Sequence, residues 1–254
     1  MKTLVVGDSH ASFCFDLIDG CEVRWLGSVT MFRIGRDGFD GFLDRSRTHD
    51  AVIFVFGEID VRAHVLRIAV QQSKPVSDVV DELASAYVNR IRDLDGVEIK
   101  VIASVVPPVN TGYAARNTAV PVFGTIEQRS EAVSLLNARL RMLSARSGIG
   151  YLDIYSAFVG RDGCMPLSKS DYVCHIDPYR SKPIADALRI LVPGEFRYDS
   201  RRRISALGSF GKVSEVSPFR QKIRFRRVCW KKKCHILIQS LNSKIVGLLP
   251  RASP

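Results

Sequence analysis

Acidic side chains are scarce at one end of this chain of 254 residues. From Glu195 to the C terminus there are 3 Asp and Glu against 15 Lys and Arg, a balance of +12. Residues 1–194 hold 22 basic and 23 acidic side chains, or −1. The overall charge of +11 therefore belongs to the last 60 residues, and the remainder is not the basic body of a nucleic-acid-binding protein. Cysteine is also sparse: Cys14, Cys21, Cys164, Cys174, Cys229 and Cys234 contain no Cys-x-x-Cys spacing, which excludes a disulfide scaffold and predicts reduced, packed thiols. Cys174 beside His175 lacks the convergent Cys and His spacing of a metal site. No stretch reaches the roughly 18–20 apolar residues of a membrane span. No leader is evident, because the apolar run Leu4–Gly7 gives way at once to Asp8, Ser9 and His10; a cytoplasmic protein is expected. Gly35-Arg36-Asp37-Gly38 does not fit a phosphate-binding loop, so nucleotide binding has no support. Repeats are absent.

What is present is an alternation of strands and helices. Thr3–Val6 reads as a strand ending at Gly7, and Ala11–Ile18 as a short helix. Glu22–Leu26 is a second strand candidate, ending at Gly27, and the Gly- and Asp-rich stretch 32–44 reads as irregular until Phe39–Leu43. Ala51–Phe56 has no polar residue, as a parallel strand covered on both faces requires. Val76–Leu94 places Val79, Val80, Leu83, Ala86, Tyr87, Ile91 and Leu94 at helical spacing. Val97–Val106 is a strand candidate closed by Pro107 and Pro108, which cannot sit in a central ladder. Asn110–Gly124 reads as a loop, Thr125–Ser147 as a helix, Tyr151–Ile154 as a last strand and Ser181–Leu191 as a final helix. This order predicts a three-layer α/β/α sandwich of flavodoxin-like appearance with a mainly parallel sheet over residues 1–194, and a basic appendage over 195–254. In the appendage, Arg201–Arg203 and Lys231–Lys233 are basic triplets and Ile223–Arg227 alternates; a small β hairpin, an interaction arm and disordered chain are all compatible with it.

Polar residues follow three strands, at Gly7–His10, Gly27–Ser28 and Gly57–Asp60, on the sheet edge where open parallel sheets build their sites. Ser9 is a candidate nucleophile, because a serine at that turn projects beside the first amide groups of the next helix; Asp8 and Ser9 are equally good helix caps. His175 is a candidate base, with Asp171 and Asp177 both eligible as the acid that orients it.

These blocks resemble the SGNH hydrolases, the GDSL-like esterases and lipases. Gly7-Asp8-Ser9-His10 matches the block that carries their nucleophile, Gly27 in WLGSV the glycine that donates a backbone N–H to the oxyanion hole, and Asp171 with His175 the acid and base before the last helix. The third block departs: Gly57-Glu58-Ile59-Asp60 has Ile59 where the usual Gly-x-Asn-Asp has its oxyanion asparagine, and Tyr172 occupies the position three before the histidine. GEIDVRAH, VVPPV, LNARL and YLDIY are similar to a variant branch found with polysaccharide biosynthesis genes. The resemblance covers about residues 2–192 and implies ester hydrolysis or O-acyl transfer on an acylated carbohydrate, small or oligomeric, without metal or organic cofactor.

Arg62 is open to three roles: oxyanion donor, grip on an acidic sugar, or salt-bridge partner of Glu58. His64 is a further polar candidate, and Asp8, His10, Glu58 and Asp60 are expected to support substrate or loop. Arg33, Arg36, Asp37 and Asp40, read as a loop after the second strand, suit a polar substrate. Two alternatives belong to other classes: an SGNH-like domain that binds a glycan or protein without strong catalysis, and nucleic-acid binding through the tail. The tail's charge implies an anionic partner; Phe225 and Trp230 could stack on bases, though nucleic acid is the less favoured choice against a membrane surface or a solvated appendage.

Overall fold

The computed structural model of the protein describes residues 1–43, 49–110, 121–205 and 217–248, with residues 239–248 described by backbone alone. The chain runs β1 (Thr3–Gly7), α1 (Ser9–Phe15), β2 (Ile18–Asp19), β3 (Cys21–Trp25), α2 (Met31–Asp37) and β4 (Ala51–Val55). A π-helical turn (Asp60–Val65) leads into α3 (Leu66–Gln72), followed by α4 (Val76–Arg92), β5 (Ile99–Ala103), α5 (Ile126–Arg146), β6 (Gly150–Leu152) and α6 (Tyr155–Phe158). Single 3-10 turns at Leu167–Lys169 and Pro178–Arg180 precede α7 (Lys182–Leu191), β7 (Arg197–Tyr198) and α8 (Pro218–Leu248).

Five strands form one sheet in the order β3-β1-β4-β5-β6, every pairing parallel. Because successive side chains on a strand face opposite ways, the apolar runs feed two cores. Leu4, Val6, Val52 and Phe54 pack with α2, α4 and α5 through Met31, Leu83, Tyr87 and Leu136. Val5, Ile53 and Val55 pack with α1 and α7 through Phe13, Cys14, Ile184 and Leu188. This is the three-layer α/β/α sandwich with a mainly parallel sheet expected from the strand and helix alternation.

Four local readings are corrected. Residues 31–37 are helical, not irregular. Thr30 caps α2 by accepting from the Arg33 amide, and the buried carboxylate of Asp60 accepts from the amides of Met31 (2.8 Å) and Phe32 (3.1 Å). Amide groups that would be orphaned at a helix start are thereby satisfied from 28 and 29 residues away. Arg33, Arg36 and Asp37 consequently lie on a helix, and Asp37 and Asp40 line a groove with Leu4, Val52 and Val97, near the strand starts and so at the end of the sheet opposite Ser9. The helix expected over Ala11–Ile18 begins at Ser9 and ends at Phe15, and Ile18 instead pairs antiparallel with Tyr198 in β2–β7. The strand expected over Val97–Val106 is confined to Ile99–Ala103. Of the loop expected over Asn110–Gly124, residues 111–120 lie outside the described residues.

The fourth correction concerns the tail. Its alternating stretch is neither hairpin nor disordered chain but part of the long helix α8. Gln221, Phe225 and Cys229 recur every four residues and are all buried, with Lys232 and Ile236 half-buried on the same side. Gln221 bridges the backbone of Ile204 through both its amide atoms (3.0 and 2.8 Å), and Phe225 and Cys229 join the core that holds α1 and α7. The chain between is tied to the end of α1: the Asp16 carboxylate accepts from the Ser205 hydroxyl at 2.7 Å, and Arg202 Nε donates to the Asp16 carbonyl at 2.9 Å.

Candidate active site

The site begins with a backbone constraint. At Gly7 the end of β1 passes so close to β4 that a Cβ would lie 2.0 Å from the Val55 carbonyl oxygen. The chain leaves the sheet there: the Asp8 amide donates to the same oxygen (3.1 Å), and the Asp8 carboxylate accepts from the His10 amide (2.8 Å), capping α1. Ser9 is thus the first residue of a helix, where amide groups lack intrahelical acceptors. Beyond β3, the Leu26 amide bonds Gly7 O at 2.8 Å, and Gly27 has left-handed φ (+75°) with open space over its α-carbon. Gly27 is half-buried there, with the side of its α-carbon open, beside the end of β1.

Ser9 Oγ lies 2.8 Å from His175 Nε2, and His175 Nδ1 lies 3.1 Å from Asp171 Oδ2. The 171–175 loop is built around the Asp171 carboxylate, whose Oδ1 accepts from the amides of Val173 (2.8 Å), Cys174 (3.1 Å) and His175 (3.1 Å). Tyr172 takes left-handed φ (65°), and this absorbs the extra residue between acid and histidine. Of the two eligible acids, Asp171 faces His175; Asp177 turns away to cap the Pro178–Arg180 turn and pairs with Arg226 of α8 at 2.9 Å. Burial alone would raise the Asp171 pKa, but His175, Lys232 and the amide groups hold it well below the usual carboxylate range.

Three supports are absent from the reading of the sequence. Phe13, one turn along α1 from Ser9, stacks on the His175 ring with centroids 4.1 Å apart and planes 9° from parallel. Lys232 Nζ, from α8, lies 3.6 Å from Asp171 Oδ2 and donates to the Asp171 carbonyl at 3.2 Å. Cys229 Sγ, also from α8, approaches that carbonyl at 3.9 Å. The Ser9–Phe13 spacing was a usable signal for the first; nothing near positions 229–232 announces the other two.

His10 is buried behind the site, its ring 4.8 Å from that of His175. Nδ1 faces Asp8 Oδ1 (3.1 Å) and Nε2 faces the Cys174 carbonyl (3.0 Å). Both partners are acceptors, so only the doubly protonated ring satisfies both. Burial opposes that charge, yet Asp8, with help from Glu58, raises the pKa to about 9.

In the third block Ile59 is buried and apolar. Glu58 grips Arg62 through Nε (2.6 Å) and Nη2 (3.1 Å), both side chains being nearly buried. Burial disfavours the Arg62 cation, and Glu58 more than compensates. Arg62 sits in the π-helical turn and, with Glu58, Arg129, Val109, Val173 and Cys174, lines a small recess beside His175. Asp60, expected near substrate or loop, is fully buried beneath α2, and this burial raises its pKa to about 7 against the pull of the Met31 and Phe32 amides. His64 pairs instead with Arg67 at 2.9 Å. The structure thus gathers Ser9, His175, Asp171, Asp8 and His10, sets Glu58 and Arg62 on the adjoining wall, and assigns Asp60 to a helix start.

No protein-family profile and no curated protein match this chain. Solved structures do. A protein from Streptococcus pneumonia, provisionally named a platelet activating factor, superposes with TM-score 0.52 at 13% identity over 74% of this chain and 82% of its own. An acetylxylan esterase from Geobacillus stearothermophilus gives 0.50 at 12% over 76% and 94%, and a GDSL-like lipase from Bacteroides thetaiotaomicron 0.46 at 14% over 74% and 85%. At such identities the likeness is one of fold alone, the three-layer α/β/α sandwich described above.

Proposed function

We propose that the protein is a serine esterase or O-acyltransferase acting on an acylated carbohydrate. The observation that carries this reading is the line of contacts from Ser9 Oγ to His175 Nε2 (2.8 Å) and from His175 Nδ1 to Asp171 Oδ2 (3.1 Å). In it, Ser9 Oγ attacks the ester carbonyl while His175 Nε2 takes its proton and Asp171 holds the ring. The amides of Ser9 and Gly27 receive the oxyanion. Arg62, fixed by Glu58, is the cationic side chain of the block that lacks the asparagine and takes its place in this reading. The intermediate collapses as His175 returns the proton to the departing sugar oxygen, leaving an acyl-serine. Water or a sugar hydroxyl then attacks with His175 again as base, and Ser9 is regenerated. His175 performs every proton transfer in this sequence while Asp171 holds its ring, so no metal or organic cofactor is invoked.

A polar substrate is supported by the Glu58, Arg62 and Arg129 wall of the recess, and a sugar by the activity of the acetylxylan esterase with the similar fold. A role in polysaccharide biosynthesis and a cytoplasmic setting, the latter consistent with six unpaired cysteines, complete the proposal. A second reading, a glycan- or protein-binding domain with weak catalysis, is favoured by one observation, the buried apolar Ile59.

Intact-protein mass spectrometry after exposure to a serine-directed phosphonate separates the two. One adduct on wild type, absent from Ser9→Ala and slow to form on His175→Ala, is the expected result. A folded wild type that stays unlabelled refutes the esterase reading and leaves the binding domain.

A further inference from the structure

Helix α8 buries one side against the domain and leaves an ordered surface on the other. Phe219, Ile223, Trp230 and Leu237 are 72%, 51%, 65% and 53% exposed. Their spacing of four, seven and seven residues puts them on one stripe of a helix, about 27 Å long at 1.5 Å per residue. Arg220, Arg224, Arg227 and Lys231, also exposed, form a second row beside it at spacings of four, three and four. Among the described residues none of Arg224, Arg227 and Lys231 pairs with a carboxylate. Residues 218–248 contain nine Lys and Arg and no Asp or Glu.

From this arrangement we propose that α8 is an interfacial helix that docks the protein on an anionic lipid surface, independently of whether the Ser9 site hydrolyses esters. An apolar stripe alongside a cationic row fits a plane that is hydrocarbon beneath and anionic above. The basic row meets lipid phosphates while Phe219, Ile223, Trp230 and Leu237 enter the acyl boundary. A second copy of the helix is disfavoured as the occupant, since packing stripe on stripe would bring unscreened cationic rows together. Nucleic acid would engage the basic row but leave Ile223 and Leu237 in water. The described helices include none long and apolar enough to cross a membrane, in keeping with a helix that lies on the surface. Docking this way leaves the inner side in place, where Lys232 holds Asp171 and Phe225 meets Tyr179 edge to face at 5.7 Å.

The test uses full-length protein and sedimentation with vesicles of phosphatidylcholine alone or mixed with phosphatidylglycerol. Binding to the mixed vesicles only, weakened by salt, is expected. The triple variant Arg224→Glu, Arg227→Glu, Lys231→Glu should lower the affinity by about two orders of magnitude or more, from roughly fivefold per basic residue near an anionic surface. Phe219→Ser, Ile223→Ser, Trp230→Ser should lower it by roughly tenfold or more. In Trp25→Phe protein, which keeps Trp230 as its sole tryptophan, emission should shift to the blue on the mixed vesicles. That reading needs no change to α8. Equal binding to neutral vesicles, no blue shift, full affinity after the apolar substitutions, or tighter binding to RNA than to mixed vesicles would each overturn the proposal. Phosphonate labelling of Ser9 in the same samples reports separately on the esterase reading.

Discussion

His10 provides a test of the electrostatics behind Ser9 that needs no substrate. Both of its ring nitrogens face acceptors in a buried setting, and its pKa is raised from 6.5 to about 9. A group whose pKa is higher folded than unfolded stabilises the fold fully below the unfolded value, and that contribution is lost as the pH rises through the folded value. The window is therefore pH 6.5 to about 9. At roughly 1.4 kcal/mol per pH unit, the difference amounts to about 3 kcal/mol. Urea unfolding of wild type and His10→Asn across this window measures it. Buried thiols such as Cys21, held to about 12, add a loss of their own above about pH 8.5, but both proteins share it. Wild type should lose about 3 kcal/mol more than His10→Asn between pH 6 and 9.5. Equal slopes in the two proteins, or a flat wild-type profile, would refute the charged state assigned to His10.

Other perturbations follow from the same contacts. Glu58→Gln strands the buried Arg62 cation without its carboxylate and should cost about 3 kcal/mol in urea unfolding, with Arg62→Met in the same chain recovering part of it. Asp60 has a folded pKa raised to about 7, so wild type should lose stability as the pH rises from about 4 to 7; Asp60→Asn should flatten that slope, and an unchanged slope would contradict the burial argument. Asp171 has the opposite sign: its depressed pKa stabilises the fold above about pH 4, and that contribution is lost as the pH falls. Lys232→Gln should therefore lower stability by about 1–2 kcal/mol at neutral pH, with the deficit narrowing below pH 4.

The sequence by itself determined the layers and where β1, β3 and β4 give way to polar residues. A parallel strand covered on both faces must be apolar along its length, so Ala51–Val55 declares itself, and α4 shows its buried side in the spacing of Val79, Leu83 and Tyr87. Ser9 and His175 were legible as candidates because each stands where a chain leaves a strand or enters a helix with polar neighbours. What escaped was whatever depends on contacts far along the chain. Helix α2 starts where it does because Asp60 supplies acceptors that no neighbour of Met31 provides. The alternation at Ile223–Arg227 suggests a strand, yet burial every four residues at Gln221, Phe225 and Cys229 decides for a helix, and that burial is made against Ile204, Tyr179 and Asp171, all remote in sequence. The choice of Asp171 over Asp177 rests on the left-handed turn at Tyr172 and on a lysine 61 residues away. Periodicity reports which side of an element is apolar; which charge meets which, and which orphaned amide finds an acceptor, is decided only when the elements pack.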